Sequence, residues 1–121
     1  MPIVEIEIVL RPNESLRNGL VQELADALGA ALDAPPGSTW VKLHTLAEEY
    51  YAESGGALTD IHPVFVSILR ASLPPPEQMQ IEVEAVTEAV ARLCERPGEN
   101  VHALNLPEGR GRVAFGGRLT R

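Results

Sequence analysis

Pro2, directly behind Met1 and opening the alternating run PIVEIEIVL, is the residue best placed to do chemistry. Removal of methionine before such a residue would leave a secondary amine at the edge of a sheet. An unperturbed α-amino group titrates at roughly 7.7 to 8.0, so modest desolvation or nearby positive charge leaves it largely neutral, and basic, at physiological pH. Proline also suits a strand start for a plain reason, since it has no N–H to give a ladder. Other reactive groups are sparse. The single Cys94 lies in an apolar helical stripe and reads as a small core residue. His44, His62 and His102 lack the close spacing of metal ligands, and no cysteine cluster supports zinc, so neither metal nor cofactor is expected. Gly109, Gly111, Gly116 and Gly117 have no following helix on whose N-terminus a phosphate would sit, and they read as turn residues.

The elements that must position Pro2 follow from periodicity. Val4, Ile6, Ile8 and Leu10 alternate with Glu5 and Glu7, which marks a strand with one apolar face, ended by Arg11 and Pro12. Asn13 then caps a predicted helix from Glu14 to Leu32, whose stripe is Leu16, Leu20, Leu24, Leu28 and Leu32. DAPPG stops it. A second strand from Thr39 to Leu46 sets Val41, Leu43 and Thr45 on one face and Trp40, Lys42 and His44 on the other. Short linkers around a helix between two strands suit a parallel crossover.

After Gly55 and Gly56 the plan repeats: a strand from Pro63 to Ala71, a helix from about Pro76 to Arg96, and a strand from Asn100 to Leu106. Each first strand ends in arginine, Arg11 or Arg70, and each unit closes on a glycine pair. The chain therefore reads as an internal duplication, residues 1–58 and then 59–121, within one domain. GRVAFGGRL at the end is expected to form an irregular arm or short hairpin whose Val113 and Phe115 dock on a neighbouring subunit.

Composition narrows the class. A chain of 121 residues, 45% apolar and 22% charged, with net charge −7, fits one soluble globular domain. No apolar run approaches the roughly 20 residues of a membrane helix and no basic leader precedes an apolar stretch, so no membrane partner and a cytoplasmic location are expected. The acidic balance argues against nucleic acid, although local groups rather than net charge set the field at a pocket.

On MPIVEIEI, LDAPPGSTWVKL (Leu32 to Leu43), YYAESGG (Tyr50 to Gly56) and GRVAFGG (Gly111 to Gly117), together with the duplication, the sequence resembles the tautomerase superfamily. That group contains 4-oxalocrotonate tautomerase, malonate semialdehyde decarboxylase and the 3-chloroacrylic acid dehalogenases. The resemblance implies an α/β (α+β) fold of the tautomerase/MIF-like type: two fused β-α-β units forming a four-stranded mixed sheet with two long helices on one face. It also implies a homotrimer.

For chemistry it implies that Pro2 is a general base moving a proton in a small carboxylated enol or keto acid, with arginines holding carboxylates through their planar forks. Arg11 falls at the strand end where a tautomerase arginine lies, one position early. Trp40 stands in place of the second arginine and Lys42 follows two residues on, so Trp40, Lys42 and His44 either line an anion pocket or are solvated and packed in ordinary ways. Tyr51, beside Tyr50, is near the family's aromatic position. In the second unit Arg70, His102, Arg112 and Phe115 are the counterparts, while Pro63 has its nitrogen locked in a peptide bond. The substrate-binding set is thus Arg11, Lys42, Tyr51, Arg70 and His102. The same amine, protonated, could serve instead as the acid of a decarboxylase or hydratase-type dehalogenase. If Met1 persists, a noncatalytic oligomeric or ligand-binding role remains.

Overall fold

The computed structural model describes residues 2–56 and 60–121. Met1 and the expected boundary between the units at 58/59 lie outside them. Strand β1 (Ile3–Val9) is followed by helix α1 (Leu20–Ala31) and strand β2 (Trp40–Leu46); then come β3 (Val64–Leu69), helix α2 (Pro76–Cys94) and β4 (Val101–Asn105). A small hairpin, β5 (Ala114–Phe115) and β6 (Arg118–Leu119), closes the chain.

The four long strands form one mixed sheet in the order β2-β1-β3-β4. β1 runs parallel to β2 and antiparallel to β3, and β3 runs parallel to β4. Period-two side chains divide the sheet into two unlike faces. Val4, Ile6 and Ile8 of β1 and Val64, Val66 and Ile68 of β3 are essentially inaccessible and pack with Leu20, Leu24 and Leu28 of α1 and Val86, Val90 and Cys94 of α2. Both helices thus cover that face. The opposite face carries Glu5, Glu7, Trp40, Lys42, His44, Phe65, His102 and Leu104, all exposed.

Two expectations about the helices change. α1 begins at Leu20, not at Glu14, because Asn13 takes a left-handed φ of 62° in a turn rather than capping a helix, and Gly19, at φ 86°, supplies the bend before the first helical residue. Glu14 is drawn away from any helical role: it accepts from the Arg11 amide and from Arg96. Leu16 still packs against the core from the intervening turn. α2 starts at Pro76 as its sequence demands, but ends at Cys94, since Glu95 adopts φ 57° and turns Arg96 back toward the sheet. Among the described residues no helix is long and apolar enough to cross a membrane.

Candidate active site

Pro2 is buried at the head of a central strand. Its carbonyl accepts a hydrogen bond from the Trp40 amide at 3.0 Å. One residue on, Ile3 stands opposite Trp40 on one side and Leu69 on the other. Pro2 is therefore flanked by the start of β2 and the end of β3.

The chain's closing segment crosses this end of the sheet. On the β3 side the Gly109 amide donates to the Arg70 carbonyl at 2.9 Å and the Arg110 amide to the Ala71 carbonyl at 3.2 Å. On the β2 side Phe115 meets Trp40 edge to face, with centroids 5.5 Å apart. Residues 109–121 thus form a strap tied to both neighbours of Pro2. Within the chain the strap forms the short hairpin expected, with Phe115 against Trp40 and Val113 in the wall of a pocket. That pocket, beneath the strap, is about 70 Å³ and is lined by Ile3, Leu69, Arg70, Val113 and Phe115, among others.

Arg70 is the one expected binding residue at the same end, and its guanidinium is already engaged. It turns to the helix-covered face, where Nη2 donates to Glu82 Oε1 at 2.7 Å; the two side chains are only 11% and 8% exposed. Gln78 reaches the other Glu82 oxygen at 3.5 Å, and the buried Nε of Arg70 has no partner.

The remaining candidates lie elsewhere in the chain. Lys42 sits on the open face, where its Nζ is 2.7 Å from Glu5 Oε1, and this contact lowers the Glu5 carboxyl below its usual range. Glu5 and Lys42 are register partners three residues beyond Pro2, or about 10 Å along the strand. Tyr51 and His102 flank Phe65 on that face, with centroids 6.1 and 5.6 Å from it, and Phe65 is in register with Glu7. The Tyr51 hydroxyl donates to Glu53 at 2.5 Å, which raises its pKa. Arg11 lies at the far end, roughly 30 Å from Pro2 at strand spacing, and donates to the Glu95 carbonyl at 2.6 Å. Within one chain, then, Pro2 and Arg70 share an end while Arg11, Lys42, Tyr51 and His102 do not join them.

Two buried charges escaped the sequence reading. Glu82 falls on the apolar stripe of α2, four residues before Val86, and that position is the only signal it gave. Arg96, 1% exposed, donates to the Val9, His62 and Cys94 carbonyls and to both oxygens of Glu14. This forked pairing, chiefly the hydrogen bonds from Arg96, pulls the Glu14 carboxyl down to about 2. Burial pushes the Cys94 thiol up to about 11, so at neutral pH it is not a nucleophile. Among the described residues no three His, Cys, Asp or Glu side chains converge to hold a metal.

No protein-family model and no curated protein sequence matches this chain. Its likeness is structural. It resembles R7 fused 4-OT, described as a wild-type asymmetric trimer, at 15% identity over 97% of this chain and 94% of that one, with a TM-score of 0.78. It also resembles Pt0534 inactivated by 2-oxo-3-pentynoate, at 20% identity, 98% and 94% coverage and a TM-score of 0.74. A third is FG41 malonate semialdehyde decarboxylase inhibited by 3-bromopropiolate, at 17% identity, 94% and 88% coverage and a TM-score of 0.70. The two β-α-β units and the mixed four-stranded sheet that joins them are the tautomerase/MIF-like fold that these structures share.

Proposed function

We propose that this protein is a tautomerase-like isomerase that moves a proton within a small carboxylated enol or keto acid, with Pro2 as general base once Met1 has been removed. The observation that carries the reading is the placement of Pro2, buried at the head of a central strand beside a pocket and under an arginine-bearing strap. Once Met1 is removed, burial disfavours the protonated amine and so favours a neutral ring nitrogen. The inhibitors in two similar structures, 2-oxo-3-pentynoate and 3-bromopropiolate, are small carboxylates bearing an electrophilic triple bond, which supports this substrate class.

The separation of Arg11, Lys42, Tyr51 and His102 from Pro2 within the chain bears on assembly. If these groups bind substrate, they do so from another copy. A homotrimer fits that need, because the open sheet face exposes Phe65 and Leu104, and fused 4-OT neighbours are described as trimers.

The malonate semialdehyde decarboxylase likeness favours one second reading, in which a protonated Pro2 amine serves as an acid in decarboxylation of a β-keto acid. Intact mass of protein purified from cells comes first. Processed protein should then ketonise a dienol carboxylate, and Pro2→Ala should lower kcat at least ~100-fold, the usual worth of a positioned base. Unchanged turnover in that variant excludes the base. Release of carbon dioxide from a β-keto acid without ketonisation selects the second reading, and retained methionine leaves only ligand binding.

A further inference from the structure

The strap concentrates the positive charge of an acidic protein. Four of the chain's ten Lys and Arg residues, Arg110, Arg112, Arg118 and Arg121, lie in its last twelve positions, and none of the seventeen Asp and Glu residues does; the last is Glu108. Elsewhere most arginines are occupied. Arg11 and Arg96 hold Glu14, Arg17 holds Glu23, Arg70 holds Glu82 and Arg92 holds Glu88. Arg112 donates to the Pro107 and Glu108 carbonyls, which folds it against the root of the strap. Arg110, Arg118 and Arg121 are exposed and form no ion pair among the described residues. Backbone ties fix two of them where they matter. Arg110 is hydrogen-bonded to Ala71, just past the end of β3, and Arg118 lies opposite Phe115, the residue that seats on Trp40. Their backbones stand at either side of the Pro2 end, next to a pocket whose wall includes Gly109 and Phe115.

We propose that Arg110 and Arg118, with Arg121, form the anion-binding rim of this site and take the carboxylate of a small organic acid, the part that Arg70 cannot play while Glu82 holds it. The proposal deepens the functional reading above and takes the ligand's identity from it. An anion nearing the rest of the molecule meets carboxylates. At the strap it meets guanidinium groups without an ion-pair partner among the described residues, and within a Debye length, about 8 Å at physiological salt, they draw it toward this end of the sheet. Arginine adds paired donors that match a carboxylate.

Binding tests this without turnover. The full chain is titrated calorimetrically with malonate and with malonamide, its neutral amide, at low ionic strength. Malonate should bind at least tenfold more tightly than malonamide, and its affinity should fall as salt is added. The R110Q/R118Q variant should lose at least tenfold in malonate affinity, whereas Arg92→Gln, on the outer side of α2, should match wild type. Arg118→Lys, which keeps the charge but loses the fork, should fall between. The fluorescence of Trp40 reports whether the strap stays docked in each variant. No preference for malonate over malonamide, or equal malonate affinity in R110Q/R118Q, overturns the proposal. Pro2→Ala separates the two readings, since its loss of turnover with malonate binding intact concerns the base alone. Normal turnover in Pro2→Ala would sink the base and leave the rim standing.

Discussion

Trp40 and Phe115 meet edge to face, with their rings 5.5 Å apart and their planes at 82°. One residue begins β2 and the other ends β5, so a single aromatic contact pins the strap to the strand beside Pro2. An edge-to-face pair is worth about 0.5 to 1.5 kcal/mol beyond its buried area. Phe115→Ala should release the strap without unfolding the sheet, because the core contains neither ring. Trp40 is the only tryptophan, so its emission should shift to longer wavelength. The Gly111 and Thr120 amides, which bond within the strap, should exchange faster while those of β1 stay protected.

At the opposite end of the sheet Arg96 and Glu14 set the response to acid. The Glu14 carboxyl is held at about 2 against a usual 4.5, first by hydrogen bonds from Arg96. A depressed folded-state pKa means the unfolded chain binds more protons, so this contribution is complete above about 4.5 and is lost as pH falls toward 2. The amount is at most about 3 kcal/mol by linkage. Glu14→Gln should flatten stability between pH 4.5 and 2 in urea unfolding, relative to wild type. Arg96→Met should cost about 3 to 5 kcal/mol at neutral pH, since it breaks a buried pair and strands three carbonyls.

The Arg70 and Glu82 pair makes a different prediction. Both side chains are buried, and removing either leaves the other charge without its partner. Glu82→Ala should destabilise the fold by about 3 to 5 kcal/mol, as broken buried pairs do. Arg70→Met combined with Glu82→Leu should recover most of that loss, because apolar pairs often replace buried ion pairs at little cost. A double-mutant cycle read by chemical unfolding checks it. Additive losses would show that the two charges act independently.

Much of this architecture was legible because it rests on local patterns. Val4, Ile6 and Ile8 alternate with Glu5 and Glu7, and that rhythm alone orients β1. The start of α1 was not, because whether Asn13 caps a helix or turns left-handed depends on Arg96, eighty-three residues away, claiming Glu14. Glu82 escaped for a related reason. Helical periodicity sorts residues by hydrophobicity, and only the fold supplies the arginine that makes a carboxylate tolerable on the buried stripe. At the candidate site the position of Pro2 could be read directly. That Arg11 lies at the other end of the sheet follows from strand length, yet which groups a second copy would return to Pro2 is a property of assembly and leaves no mark on one chain's sequence.

Cys94 offers a probe of global opening. It is 5% exposed, and its thiol is pushed up to about 11 by burial. Folded protein at pH 7.5 should resist alkylation by iodoacetamide, and the rate in rising urea should track unfolding followed by Trp40 fluorescence. Rapid labelling without denaturant would mean that the C-terminal end of α2 frays on its own.

Gly109 holds the strap close against the end of β3. A Cβ built there would lie 2.8 Å from Val113 Cγ2 and 3.3 Å from Leu69 Cδ1. The first distance forces movement, and what can move is Val113, because it belongs to the strap while Leu69 is fixed in β3. Gly109→Ala should therefore lift Val113 from the pocket wall and weaken the bonds from Gly109 and Arg110 to Arg70 and Ala71. Overpacking of this kind costs about 1 to 3 kcal/mol. Val113→Ala added to Gly109→Ala removes the methyl group at fault, and should restore the amide protection of residues 109 and 110 toward wild type in hydrogen exchange. If the double variant is no better protected than Gly109→Ala, the clash with Val113 is not what holds the strap in place.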